Sequence, residues 1–163
     1  SVRSCVRSGV RAELSVVWRH LQSTLGRASA EEVMSGRGLH NIYTALANQA
    51  SAPVVFTEPA QITDAALNGT CKIAEATLTQ FCRIMGSFAG NLALNMATTG
   101  GIFIGGGIAN RFPEFIQNSD FRARFEAKGQ MKHYVKDIPT YLIAEPDHGL
   151  LGAAAYLNQN TAS

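Results

Sequence analysis

Three consecutive glycines, Gly105, Gly106 and Gly107, follow a short apolar run and form a segment that could bind a ligand. Residues without a Cβ let a ligand approach the backbone closely, and exposed backbone N–H groups favour phosphate groups or the polar edges of a base. The spacing matches neither the Gly-x-Gly-x-x-Gly pattern nor the Walker pattern. The segment therefore predicts either a nucleotide-binding turn or a plain tight turn.

Glu31 and Glu32 are the second candidates. Ser29 and Glu32 have the spacing of a capping box, and carboxylates in a first helical turn interact favourably with the helix dipole. Structural capping therefore explains both residues. The alternative hypothesis is that one of the two carboxylates faces a pocket and accepts hydrogen bonds from the hydroxyl groups of a polyol.

The other titratable residues give no catalytic or metal-binding pattern, so we predict neither kind of site from them. The four histidines lie on separate predicted elements without ligand spacing: His20, His40, His133 and His148. Three cysteines cannot form a fully paired disulfide framework, and they do not form a Cys-x-x-Cys motif. We therefore expect a reduced chain in the cytosol.

The composition limits the class of protein. The 163 residues suit one domain with a real core, and charged residues make up 16%, against roughly 25% in an ordinary soluble domain. These values exclude a disordered tail and a coiled coil, and they suggest that part of the surface is normally covered by something else. Because Arg3, Arg7 and Arg11 supply three of the positive charges, the rest of the chain has a net charge of −1. We therefore predict no nucleic-acid partner, since a nucleic-acid groove needs a clustered basic face.

Residues 84–110 contain no Asp, Glu, Lys or Arg, so a membrane span has to be considered. Seven of these 27 positions are glycine, and Thr98 and Thr99 divide the run in two. We therefore predict a buried helix followed by a buried strand, and no contact with a membrane. Gly86 and Gly90 lie four residues apart on that helix, a spacing that lets another backbone approach closely.

The apolar periodicity predicts many helices and two strands, which is half of an α/β layer structure. Residues 1–12 lack acidic residues and a helical apolar face, so we interpret them as a disordered or misassigned terminus, and residues 13–163 as one domain. The predicted strands cover 101–104 and 139–144. The predicted helices cover 13–25, 29–34, 39–46, 62–67, 71–97, two short segments around 112–125, 131–136 and 148–157.

Several of these segments together resemble bacterial-type ATP-dependent glucokinase, of the actin/hexokinase-like superfamily. The resemblance covers about residues 20–158, and its segments occur in order at compatible spacing. They are Ser29-Ala30-Glu31, Val33–Leu39, Asn41–Tyr43, Phe81–Gly86, Gly90–Asn95, Gly101–Ile108, Arg111-Phe112, Phe121–Ala123, Phe125–Gly129, Ile138–Ile143 and Gly149–Ala153.

The resemblance implies a fold and an activity. The fold is the C-terminal lobe of an actin/hexokinase-like (ribonuclease H-like) structure, helix-rich with a partial sheet. The activity is transfer of the ATP γ-phosphoryl group to the 6-hydroxyl of glucose, in the first step of glycolysis. The resemblance implies that Glu31 binds sugar hydroxyls, that Gly106 and Gly107, with Gly105, line the adenosine side of the nucleotide pocket, and that Mg²⁺ assists. It also implies homodimerisation.

Important family segments have no counterpart here. The family's phosphate-binding glycine segments, its catalytic aspartate and its Gly-Glu-Gly-Gly-His-like sugar segment are unmatched, and Arg37 and Asn110 stand where proline is usual. We therefore assign no catalytic residue and expect the isolated chain to be inactive. The alternatives are a non-catalytic sugar-binding or regulatory module of the same fold, and a degenerate remnant that only packs against a partner, which self-association through the glycine-bearing helix would favour.

Overall fold

A computed structural model describes residues 17, 19, 23, 33–143, 145 and 147–161, and the structural statements below concern these residues. The proposed terminus 1–12 and Ser29–Glu32 lie outside them. Val17, Arg19 and Ser23 are helical, and the rest of the predicted helix 13–25 is not described. The elements that follow are α1 (Gly36–Gln49), α2 (Pro59–Leu67), α3 (Lys72–Asn95), β1 (Ile102–Ile104), α4 (Pro113–Gln117), α5 (Phe121–Glu126), α6 (Lys132–Val135), β2 (Thr140–Leu142) and α7 (His148–Thr161). Short 3₁₀ turns cover Ala109–Arg111 and Gly129–Met131.

Helix α1 begins earlier than the sequence pattern predicted. The glycines at 36 and 38 suggested a turn, but both lie in the first turn of α1. Ser35 explains the difference, because its hydroxyl oxygen accepts a hydrogen bond from the Gly38 N–H at 3.1 Å. This side-chain cap satisfies a donor that the helix leaves unpaired, so the helix starts despite its two glycines.

Helix α3 is the centre of the core. It extends from Lys72 to Asn95, close to the predicted 71–97, and packs against α1, α2 and α5. The buried side chains along it include Leu78, Phe81 and Cys82. Because α3 is surrounded on several sides, it is apolar over a broader surface than an ordinary amphipathic helix.

Helix α5 lies directly against the Gly86 and Gly90 side of α3, so the predicted close backbone approach is confirmed. An ion pair supports the contact, with Arg83 Nη2 2.7 Å from Asp120 Oδ2. The glycines are covered within the chain. A remnant that self-associates through α3 would therefore have to use its exposed positions, such as Phe88 and, at its C-cap, Met96, and not the glycine side.

The two strands form a parallel pair in which Phe103 lies opposite Tyr141. Ile102, Ile104 and Leu142 on the same strands are partly buried against the core. The result is a helix-rich α/β structure with a small partial sheet, as the sequence predicted. None of the described helices is both long and apolar enough to span a bilayer.

Candidate functional site

The three glycines form the turn that leads from β1 into the 3₁₀ helix Ala109–Arg111. β1 is fixed at its end by the Ile143 N–H, which donates to the Ile104 carbonyl oxygen at 2.8 Å. The chain then reverses at Gly106, whose φ is 128°. The Gly106 carbonyl oxygen accepts a hydrogen bond from the Asn110 N–H at 3.2 Å, which closes the turn. The positive φ at Gly106 is a conformation that other residues rarely adopt, so local geometry accounts for this glycine.

Gly107 is different, because its local geometry does not require glycine. Its φ is not among the positive values, and a Cβ built on it would meet no described heavy atom within 4 Å. A Cβ on Gly106 would also point into open space among the described residues. The backbone of the turn is therefore approachable, and Gly105 and Gly107 are themselves exposed. A ligand that lies against this backbone would need the room that glycine leaves at position 107.

The turn is supported on its far side by aromatic packing. Phe112 is buried, and its ring packs edge-on against Phe81 of α3 at a centroid distance of 6.0 Å. Pro113 then starts α4 at the helix position where proline fits best. The packing of Phe112 therefore holds the glycine turn in place on the core, as a binding site on a loop requires.

Two side chains next to the turn were not assigned by sequence reasoning. Arg111 ends the 3₁₀ helix with its side chain exposed, and it is the first charged residue after the uncharged segment 84–110. Asn110 Oδ1 is buried and has no hydrogen-bond partner among the described residues. The signal for Arg111 was available in the sequence, as a cation four residues after the third glycine. The burial of Asn110 Oδ1 was not.

Glu31 and Glu32 lie outside the described residues, so the predicted sugar contact is not part of the described site. The first described residue after them is Val33, which is buried in the core. Of the predicted site residues, the structure therefore describes Gly105, Gly106 and Gly107.

Two titratable groups described away from the glycine turn, His133 and Cys82, are explained by local hydrogen bonding and burial. His133 Nδ1 lies 2.7 Å from the Gln130 carbonyl oxygen. Burial raises the pKa of the Cys82 thiol to about 11, against a lowering by its hydrogen bond with Ser119. A thiol with that pKa stays protonated at neutral pH and is a poor nucleophile. In the described part of the chain, no three His, Cys, Asp or Glu side chains are grouped as metal ligands.

A cleft of about 270 Å³ borders the strands where the glycine turn begins, between Ile104, Thr140 and Arg122. The Arg122 guanidinium is already engaged. Its Nη1 donates to the Ile138 carbonyl oxygen at 2.7 Å and its Nη2 to the Lys136 carbonyl oxygen at 2.6 Å. Arg122 therefore holds the chain that enters β2 and is not placed to bind an anion.

Comparison with known proteins gives one consistent family. The family model for glucokinase matches residues 8–160. The glucokinase of Colwellia psychrerythraea is 49% identical over 153 residues, which are 90% of this chain and 46% of that protein. The glucokinase of Pectobacterium atrosepticum is 50% identical over 139 residues, which are 85% of this chain and 43% of that protein.

A solved structure gives the same result at the level of the fold. The crystal structure of a glucokinase from an Antarctic psychrotroph matches with a TM-score of 0.84 and 36% sequence identity, covering 93% of this chain and 47% of that one. The predicted actin/hexokinase-like fold is thereby confirmed. The chain spans about half the length of the curated relatives it matches.

Proposed function

The chain belongs to the glucokinase family, and we propose that it supplies one half of an enzyme that phosphorylates glucose with ATP. In this proposal the chain contributes the adenosine side of the nucleotide site and one contact to the sugar. The remaining machinery of phosphoryl transfer belongs to the part of the enzyme that this chain does not cover.

The observation that carries the nucleotide role is the open backbone at Gly107. At position 107, neither the φ angle nor the packing of the described residues requires glycine. A purine or ribose lying against the turn would make it necessary, since a side chain would fill the same space. The exposed Arg111 guanidinium adds a positive charge at the same turn, which suits an anionic ligand.

Glu31 is proposed as the sugar contact because the Ser29-Ala30-Glu31 segment resembles the family's. An ionised carboxylate only accepts hydrogen bonds, and sugar hydroxyls are donors that match it. A site that binds each hydroxyl in this way rejects analogues that lack one, because the carboxylate would lose that hydrogen bond. With this property, the chain would contribute to the selectivity of sugar binding as well as to its affinity.

The reaction is an in-line displacement. The 6-hydroxyl oxygen of glucose forms a bond to the γ-phosphorus, and the bond from that phosphorus to the bridging oxygen of ADP breaks. The hydroxyl proton passes to a carboxylate that the family resemblance places outside this chain. This chain's residues bind and orient the two substrates, which lowers the entropic part of the barrier.

Mg²⁺ is the cation that the family implies, and it neutralises phosphate charge in such reactions. The described residues do not fit it, since no group of three metal-ligating side chains is present among them. We therefore assign no residue of this chain to the metal and derive no step through it.

The nucleotide role can be tested on the chain as it is, by titrating a fluorescent ATP analogue into the wild type and two variants. Gly107→Val should keep the thermal midpoint, because its side chain enters open space, and weaken nucleotide binding at least tenfold. Gly100→Val is the matched control, since Gly100 also has no described neighbour within 4 Å and precedes β1 outside the glycine turn. Equal binding by all three folded proteins would overturn the assignment of Gly107.

We also propose that the chain alone does not form glucose 6-phosphate. Purified protein with ATP, Mg²⁺ and glucose should give no turnover above a blank, and measurable turnover would refute this part of the proposal.

The second candidate is a non-catalytic sugar-binding module of the same fold. That function predicts glucose binding by the chain alone, lost in Glu31→Ala and retained in the control Glu32→Ala. Calorimetric titration with glucose distinguishes it from the enzyme half, which should bind glucose strongly only when the rest of the site is present.

A further inference from the structure

Two buried side-chain atoms in the described part of the chain have no hydrogen-bond partner, Thr44 Oγ1 and Asn110 Oδ1. A buried acceptor without a donor costs folding free energy, because it loses the water that it binds in the unfolded chain. Thr44 lies within α1, whereas Asn110 lies in the 3₁₀ helix that follows the glycine turn. The unpartnered oxygen of Asn110 therefore lies at the turn to which we assign the nucleotide.

The backbone holds Asn110 against this turn. The Asn110 N–H donates to the Gly106 carbonyl oxygen at 3.2 Å. The flanking residues Ala109 and Phe112 are each only 2% exposed, so the short helix is anchored in the core. The Asn110 side chain therefore starts from a fixed point beside the open backbone of Gly107, and a ligand that binds there has little of the backbone to order.

The side-chain amide of Asn110 is free to change its orientation. The residue is partly exposed, although its oxygen is buried. The last side-chain torsion of asparagine is broad and roughly two-fold, so half a turn about it exchanges the places of Oδ1 and Nδ2. This rotation breaks no hydrogen bond of the oxygen, because the oxygen makes none. The amide can therefore offer a ligand a donor and an acceptor side by side.

A donor beside an acceptor is the pattern that pairs with adenine. Adenine carries its 6-amino donor next to the N7 acceptor, and one asparagine amide can bind both. Guanine carries two acceptors at the same edge, O6 and N7, so the asparagine oxygen would gain no donor from it. We propose that Asn110 contacts the base of the bound nucleotide and selects adenine over guanine. The inference rests on the proposed function and deepens it by assigning a residue that determines specificity.

This contact is particular to a chain with asparagine at position 110. Proline, which is usual there in the family, has no N–H to donate to the Gly106 oxygen and no side-chain amide. Asn110 therefore gives this chain both a closed turn and a contact to the base that proline at the same position could not provide.

The neighbouring Arg111 should have a different effect on nucleotide binding. Its side chain is exposed, and a guanidinium binds phosphate groups through charge-assisted hydrogen bonds. ATP and GTP carry the same phosphates, so Arg111 should strengthen the binding of both by the same factor. Variants of these two adjacent residues therefore separate selection of the base from binding of the phosphates.

The test measures the dissociation constants of ATP and GTP for the full chain, from their displacement of a fluorescent ATP analogue. The wild type should bind ATP about tenfold more tightly than GTP. Asn110→Ala should weaken ATP binding about tenfold and leave GTP binding unchanged, so the preference disappears. Arg111→Gln is the matched control, and it should weaken both nucleotides equally and keep their ratio.

The thermal midpoints of the variants give an independent readout. Asn110→Ala removes an unpartnered buried oxygen, so its midpoint should be unchanged or higher even though its ATP binding is weaker. Thr44→Val removes the other such oxygen, and it should likewise not lower the midpoint while leaving both dissociation constants unchanged. A lower midpoint in Asn110→Ala together with an unchanged ratio of ATP to GTP binding would show that the oxygen has a structural role, and would overturn the proposal.

Failure of this inference is distinguishable from failure of the proposed function. If the wild type binds ATP and Asn110→Ala keeps the same preference for ATP over GTP, the assignment of Asn110 is overturned and the nucleotide role of the turn stands. If the folded wild type binds neither nucleotide, the nucleotide role is refuted and the assignment of Asn110 with it.

Discussion

Gly86 of α3 lies against the carbonyl group of Phe121 so closely that a Cβ at position 86 would be 2.2 Å from the Phe121 oxygen. The next glycine along the helix has the same relationship with α5, since a Cβ on Gly90 would lie 2.3 Å from the Phe125 oxygen. Backbone oxygens cannot move aside as a flexible side chain can. These two contacts set the separation of α3 and α5.

Replacing Gly86 should therefore destabilise the fold. Gly86→Ala must push α5 away from α3, and we expect a loss of about 1–3 kcal/mol in the free energy of unfolding. Gly152→Ala is the control, because Gly152 is also helical but has open space around it. It should stabilise by up to about 1 kcal/mol, because alanine favours the helix. Urea titrations of both variants measure the difference, and equal effects would contradict the packing explanation.

Arg122 should contribute more to the free energy of unfolding than its ion pair with Glu126 alone. Its Nε lies 2.8 Å from Glu126 Oε1, but its other nitrogens bind the carbonyl oxygens of Lys136 and Ile138 just before β2. Lysine cannot make these contacts together because it lacks the planar fork of donors. Arg122→Lys should cost about 1–3 kcal/mol, and Glu126→Gln, which removes only the partly exposed ion pair, less than about 1 kcal/mol. Similar losses for both, measured by chemical denaturation, would show that the ion pair is the main contribution.

Cys82 should be inert in the native state. Its side chain is fully buried, and burial raises the pKa of the thiol from 9.0 to about 11. Native protein should therefore react with iodoacetamide at Cys82 only after unfolding, whereas Cys71, which is partly exposed, should react earlier. Mass spectrometry of the alkylated peptides measures the order, and rapid labelling of Cys82 in folded protein would contradict it.

The same shift predicts a pH dependence of stability. The folded state holds the Cys82 proton more tightly than the unfolded chain, so this contribution is complete below about pH 9 and is lost as the pH rises to about 11. Cys82→Ser should flatten the fall in unfolding free energy across this window. An unchanged slope between the two proteins would contradict the assignment to Cys82.

Ser35 should determine where α1 starts. Ser35→Ala removes the acceptor for the Gly38 N–H, and the expected cost is about 1 kcal/mol. Ser35→Asp restores an acceptor and should recover most of the loss. Thermal midpoints of the three proteins test this, and a loss in both variants would indicate that the hydroxyl has another role.

The sequence by itself determined the local elements and the family. The apolar spacing located α3 and both strands, the pair Gly86 and Gly90 predicted a close helix contact, and the ordered motifs indicated glucokinase. These features are encoded by residues near one another in the chain, where periodicity and backbone preference act directly. The starts of α1 and α2 were exceptions. Two glycines suggested a turn before α1 while the Ser35 cap favoured a helix, and α2 begins at Pro59 instead of the predicted position 62.

Only the tertiary structure decided which residues meet across long separations. The register that stacks Phe103 on Tyr141, the carbonyl oxygens that Arg122 binds, and the burial that raises the pKa of Cys82 all depend on how separate elements pack. Local patterns fix which side of an element is apolar, but many packings satisfy the same pattern. The choice among them depends on the summed contacts of the folded chain, so no single segment encodes it.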